Sequence, residues 1–230
     1  MRTIVTDEKA IEELFGRYVE NTYPSQEKAR EIFRVGKALS FYLGIDPTGP
    51  DIHIGHATNL LWLKKFSELG HNVILLIGDF TARIGDPTDK DAARRALTKE
   101  EVQENMKTYL QQVQRILPEG SFSVRQNSEW LEQISFGDTI RLASNFTDQQ
   151  MISRDMFQKR LENEKPIYLH EFFYPLMQGY DSVALDVDGE VGGNDQTFNM
   201  LAGRDLMKAL SGKEKIVVTT KLLEDPGNRK

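Results

Sequence analysis

A chain of 230 residues, 39% hydrophobic and 28% charged, has enough material for one domain with a full core and the balance of a globular protein. Its net charge of −6 excludes a generally basic, nucleic-acid-coating surface, and the absence of cysteine excludes disulfides and thiolate metal sites and fits a reducing cytoplasm. The stretch MRTIVTDEKAIEELFGRY lacks the apolar centre of a signal peptide, and no apolar run approaches the ~18 residues of a membrane span, so neither export nor a membrane is expected.

Residues 7–37 read as helical, with Ile11, Leu14, Phe15 and Val19 forming one apolar stripe. Ser40 to Asp46 reads as a short buried strand, ended by Pro47, Gly49 and Pro50. Ile54 to Leu69 follows as a helix with Leu60, Leu61, Leu63 and Phe66 inward and Gly70 as its stop. Asn72 to Gly78 is nearly all apolar, as in a strand covered on both faces, which completes a βαβ unit. Thr98 and Glu101 form a capping box for a helix whose stripe is Val102, Met106, Tyr109, Leu110 and Val113. Phe122–Arg125 reads as a strand. Residues of about 130–173 read as a helical insertion beside the sheet; its Phe146, Met151, Ile152, Met156 and Phe157 suit a core or an interface equally. Ser182–Val187 reads as a strand, Asp188-Gly189 as a turn, Asp195–Leu210 as a helix ended by Gly212, and Ile216–Thr219 as a last strand. The expected fold is α/β: a Rossmann-like open parallel sheet of about five strands, with helices on both faces and the helical insertion.

His53 and His56, two of only four histidines, fall where the first strand of that unit hands over to its helix. A helix N-terminus offers free N–H groups and a positive dipole end, which suits phosphate, and Gly55 leaves room for a flat ligand. A pair of polar histidines capping the helix would give the same pattern. The spacing is not that of a zinc motif and no third ligand stands nearby, so no metal site is expected. Asp46 and Thr48 immediately precede the pair, and Asp86 follows the second strand. Tyr174, Gln178 and Asp181 share one helix face at i, i+4 and i+7, which lines a pocket or makes a buried network. Gly192 and Gly193 precede Asn194, Asp195 and Gln196 at the start of another helix, a second place of close backbone approach.

YLGIDPT, HIGH, GDFTARIGDPTDK, YPLMQGYDS and GGNDQ occur in this order, and with them the sequence closely resembles the catalytic domain of bacterial tyrosyl-tRNA synthetases, class I aminoacyl-tRNA synthetases, along essentially its whole length. The resemblance implies a Rossmann-like fold, L-tyrosine and ATP as substrates, magnesium carried by the ATP, tyrosyl-adenylate as intermediate, tRNA(Tyr) as acceptor and a homodimer formed through the insertion. It implies that Tyr42 and Asp181 hold the tyrosine phenol; that Asp86, Tyr174 and Gln178 hold the ammonium; that Gln196 lies near the carboxylate and Asp46 near the junction with the nucleotide. Gly44, Gly55, His56, Gly193 and Asp195 are implied at the adenosine, and Thr48 and His53 at the departing pyrophosphate.

The family also carries a KMSKS signature after the last strand. Here Lys230 matches its first lysine and the sequence given stops, so a chain cut within that loop, lacking the tRNA-reading domains and catalytically impaired, is expected. A tryptophan-specific relative, another H-x-G-H nucleotidyltransferase and a non-catalytic binding module are the competing readings. The first would not need Tyr42 and Asp181 around a phenol, and the second would not need the Tyr174/Gln178/Asp181 face.

Overall fold

The computed structural model describes residues 3–87 and 97–223. The chain begins with α1 (Glu8–Leu14), β1 (Val19–Tyr23), α2 (Gln26–Arg34), β2 (Ser40–Ile45), α3 (Ile54–Glu68) and β3 (Asn72–Ile77). It continues through α4 (Lys99–Met106), α5 (Tyr109–Gln114), β4 (Phe122–Gln126), α6 (Ser128–Leu131), α7 (Phe136–Ala143), α8 (Asp148–Ile152) and α9 (Asp155–Glu162). It ends with α10 (Phe173–Leu185), β5 (Gly189–Gly193), α11 (Thr197–Ser211) and β6 (Ile216–Thr220).

The strands form one six-stranded sheet in the order β1-β6-β5-β2-β3-β4. β2 is flanked in parallel by β3 and β5, and the chain, having built outward to β4, returns to lay β5 on the other side of β2. Strand order therefore reverses between β2 and β5, and the carboxyl ends of those two strands mark the expected ligand crevice. The main core lies between the sheet and α1–α3, where Phe33, Phe41, Trp62 and Phe66 pack ring to ring and are fully buried.

Four expectations need correction. Residues 7–37 are not one helical stretch: Val19–Tyr23 is an edge strand, antiparallel to β6, so the sheet is mixed rather than all parallel. Ser182–Val187 is not a strand. Its apolar residues close α10, which ends at Asp186 in a left-handed cap, and the strand is the glycine-rich segment after it. Within α3 the inward residue is Trp62, with Leu61 only partly buried. The segment expected as one helix from Thr98 is two, α4 and α5, opened by the expected Thr98–Glu101 box. In the insertion Met151 and Phe157 are core.

α10 and α11 pack at a glycine-to-glycine contact. A Cβ on Gly179 would come within 2.9 Å of Leu206, and one on Gly203 within 2.5 Å of the Lys215 ammonium. Backbone of the two helices thus meets directly beneath the carboxyl end of β2.

Candidate active site

A cavity of about 750 Å³ opens at the carboxyl ends of β2 and β5. Tyr42, Gly44, Asp46, Thr48, His53, Gly55, His56, Asp86, Tyr174, Gln178, Asp181, Gly193, Asp195 and Gln196 all line it, so the structure brings together every candidate that the sequence singled out except Lys230, which lies outside the described residues.

Its closed end is a buried polar network. Asp181, 3% exposed, accepts hydrogen bonds from Trp130 Nε1 at 2.8 Å and Asn127 Nδ2 at 3.3 Å. Burial pushes the Asp181 carboxyl well up from its usual range, while those two donors favour its ionised form. Tyr42, fully buried in the middle of β2, has its hydroxyl 2.9 Å from Ser182 Oγ. Desolvation, with the carboxylates of Glu190 and Asp181 nearby, pushes its pKa well up and keeps it a neutral donor.

Asp46 sits at the mouth of β2 and is held from two sides, by Thr81 Oγ1 at 2.7 Å and the Tyr174 hydroxyl at 2.9 Å. Gly78, at the end of β3, is there because a Cβ would fall 1.9 Å from Asp46 Oδ1. Tyr174 is pushed up by burial and by Asp46 and Asp86, so it too donates. Asp86 accepts from Gln196 Nε2 at 2.8 Å and faces Arg154 of the insertion at 3.9 Å.

The open end is the N-terminus of α3. His53 is its N-cap residue, and the two imidazoles stack with centroids 3.9 Å apart. His56 Nδ1 accepts from the His53 backbone N–H at 3.2 Å. Burial, then the neighbouring His53, lowers the His56 pKa to about 4, so His56 is neutral near pH 7. The loop bearing Thr48 and His53 is tied to the α4–α5 pair: Asn105 Nδ2 donates to the Pro47 carbonyl, Gln112 Nε2 to the Pro50 carbonyl, and Ile52 N–H to Gln112 Oε1.

Sequence reasoning missed Thr81, Asn127, Trp130, Ser182, Glu190 and Lys215. Thr81 stands in the stretch GDFTARIGDPTDK that carries the resemblance, which offered a signal. Ser182 closes the stretch YPLMQGYDS, next to Asp181; the others are single polar residues in ordinary surroundings and become neighbours only when the sheet forms. Among the described residues no group of three or more His, Asp or Glu is placed to hold a metal ion, and no helix is long and apolar enough to cross a membrane.

A phosphate-suited helix end and a buried, hydrogen-bonded polar network share one cavity at the strand-order reversal of an α/β sheet, the place where ligands of such sheets bind. A family model described as tRNA synthetases class I (W and Y) matches residues 34–228, and the chain belongs to that family. It is 49% identical over 215 residues to the tyrosine–tRNA ligase of Carboxydothermus hydrogenoformans, covering 92% of this chain and 52% of the relative. It is 47% identical over 221 residues to that of Coxiella burnetii, covering 96% and 55%. The chain thus spans about half the length of these relatives. Among solved structures it is similar to a C-terminally truncated mitochondrial tyrosyl-tRNA synthetase from Coccidioides posadasii (TM-score 0.78, 25% identity, 96% of this chain and 68% of that one). The fold is also that of the tyrosyl-tRNA synthetase complexed with L-tyrosine from Archaeoglobus fulgidus (TM-score 0.74, 22% identity, 94% and 64%).

Proposed function

We propose that this chain binds L-tyrosine and ATP and joins them as tyrosyl-adenylate, and that the whole protein passes the tyrosyl group to tRNA(Tyr) in the cytoplasm. The observation that carries this reading is the single cavity with Tyr42 and Asp181 at its closed end and the His53–His56 helix end at its mouth. A phenol fits between a neutral tyrosine hydroxyl and a carboxylate: it accepts from the first and donates to the second. The ammonium meets Asp86, Gln178 and the Tyr174 oxygen, and Gln196 stands beside the carboxylate. Gly44, Gly55, Gly193 and Asp195 give the adenosine close backbone and a ribose acceptor.

The reaction is in-line attack of the tyrosine carboxylate on the α-phosphorus. A P–O bond forms, the bond to the β-phosphate oxygen breaks, and pyrophosphate leaves with the charge. The nucleophile is already ionised, so no general base is required and positioning with charge stabilisation does the catalysis. Thr48 and His53 act on the departing phosphates, and the α3 dipole adds to them. Magnesium arrives with the triphosphate as part of the substrate.

Calorimetric titration with tyrosine, tryptophan, phenylalanine and ATP tests the reading. Tyrosine and ATP should bind. Preference for tryptophan would move the chain to the other branch of its family, and ATP binding with no amino acid would leave a different nucleotidyl transfer.

The homodimer belongs to the same proposal. Phe136 and Ile140, one turn apart on α7, are 80% and 56% exposed, and Tyr168 and Leu169 beyond α9 are exposed as well. An apolar face of this kind suits a second copy of the chain. Replacing Phe136 and Ile140 together by serine should yield monomers in analytical ultracentrifugation with tyrosine binding retained.

A further inference from the structure

Behind the pocket lies an ion pair that nothing above uses. Lys215, just before β6, and Glu190, on β5, are 0% and 2% exposed and lie 2.5 Å apart. Burying two charges is costly even when they meet, so a pair retained here calls for a role besides stability. Its remaining hydrogen bonds supply one. Lys215 Nζ also donates to Ser182 Oγ at 2.8 Å, and Ser182 Oγ is 2.9 Å from the Tyr42 hydroxyl. Glu190 Oε1 accepts from Gln178 Nε2 at 3.0 Å. Tyr42 and Glu190 are register partners on adjacent parallel strands, which sets their side chains side by side.

We propose that the Glu190–Lys215 ion pair, acting through Ser182 and Gln178, is a positioning device that fixes the direction in which the pocket's hydrogen bonds point toward the amino acid. The proposal rests on the tyrosine reading above. An ammonium can only donate, so Ser182 Oγ accepts from Lys215, which leaves its own proton available for the Tyr42 oxygen, the direction the proposal assigns. The Tyr42 proton then points away from Ser182, toward the Gln178 backbone carbonyl at a long 3.5 Å, and passes that hydrogen bond to a phenol oxygen in the cavity. The phenol proton in turn goes to Asp181, whose carboxylate already accepts from Trp130 and Asn127. At the other end of the pair, a carboxylate can only accept. Gln178 therefore turns its amide N–H to Glu190 and its carbonyl oxygen to the cavity, the polarity an ammonium requires. One buried cation and one buried anion thus orient the two ends of the bound amino acid in opposite senses. Gly203 makes the space, since a Cβ there would collide with both Lys215 Nζ and Ser182 Oγ.

The test measures affinities of this chain for L-tyrosine and L-phenylalanine by calorimetry, with thermal melts to verify folding. Three proteins are compared: wild type, Ser182→Ala, and the double variant Glu190→Gln/Lys215→Met, which removes both charges at once and strands neither. Ser182→Ala should lose about tenfold in tyrosine affinity while phenylalanine affinity stays within about twofold, so that discrimination narrows about tenfold. The double variant should narrow discrimination similarly and weaken both ligands in addition, through Gln178. Folded variants that keep wild-type discrimination, or that lose both affinities in equal proportion, overturn the proposal. If the double variant does not fold, Ser182→Ala decides alone. A wild-type chain with no preference for tyrosine would refute the proposed function itself, a result read before any variant is made.

Discussion

At the closed end of the cavity, Asp181 and Tyr42 are buried and already braced by hydrogen bonds to neighbouring side chains; at the open end, Thr48 and His53 are exposed on a loop held by α4 and α5. The first region is complete before a ligand arrives. In the proposed reaction the second offers groups whose partners arrive with the substrate. Tight recognition needs a rigid, desolvated site, whereas charge that appears only in the transition state is met by positioned groups that contact the ground state little. Damage to the two ends should therefore show in different measurements.

The largest effect is expected at the closed end. Asp181→Ala removes the acceptor and leaves the Trp130 Nε1–H without its partner in a buried site, while Asn127 Nδ2 keeps Thr81 Oγ1. A loss of about 4 kcal/mol, or about a thousandfold in tyrosine affinity, should follow, with phenylalanine far less affected. Competition binding reads this, and unchanged discrimination would remove Asp181 from the phenol. Next come Thr48→Ala and His53→Ala in a chain spanning the relatives' full length. Each should slow adenylate formation about a hundredfold, near 3 kcal/mol, with tyrosine affinity held. Pyrophosphate exchange beside equilibrium dialysis separates the two; lost affinity with an intact rate would erase the distinction between the ends.

A third outcome concerns histidines that both titrate low but for different ends. Burial lowers His71 to about 4, as it does His56. His71 is enclosed by Phe33 and Phe66 and accepts from the Leu39 N–H. Its folded pKa lies below its unfolded value, so the unfolded chain binds the extra proton between pH 6.5 and about 4. Stability is full above 6.5 and falls as the pH drops through that window, by about 1.4 kcal/mol at pH 5.5 from His71. Urea melts across pH should reveal this slope, and His71→Asn, which keeps an acceptor but does not titrate, should flatten it without altering tyrosine affinity at pH 7.5. The smallest effect is at the support of the open end. Gln112→Ala leaves the Pro50 carbonyl with Thr108 Oγ1 alone and frees the Ile52 N–H, and should lower the adenylation rate by about 1 kcal/mol, roughly fivefold, again with tyrosine affinity unchanged.

The same contrast explains what was legible beforehand. β2, α3, β3 and β6 announce themselves through apolar runs and glycine stops, and the histidine pair through its position between strand and helix. Val19–Tyr23 is an edge strand with mixed exposure, so its pattern blends into the helices around it. Asp188-Gly189 reads as a turn and the strand Gly189–Gly193 goes unseen because its strand character is imposed from outside: Phe41 packs where a Gly189 side chain would be, at 2.2 Å from an ideal Cβ. The Ser182–Val187 run is apolar on account of helix packing, and no periodicity in six residues separates the two cases. Glu190 and Lys215 carry charge and so read as solvated, and only the assembled sheet buries them against each other.

The meeting of Gly179 and Gly203 has a further consequence for how such a pocket could change its ligand. With backbone against backbone, α10 and α11 have no side-chain cushion to compress or slide upon, so they behave as one slab. A bulkier amino acid could not be admitted by prising that slab from the sheet; room would have to be carved from the opposite wall, at Tyr42 or Leu76 on the strands. Any redesign of this site toward unnatural amino acids is thereby steered to the sheet side. The two glycines would be the last positions to vary, because even one added methyl group would wedge the slab open.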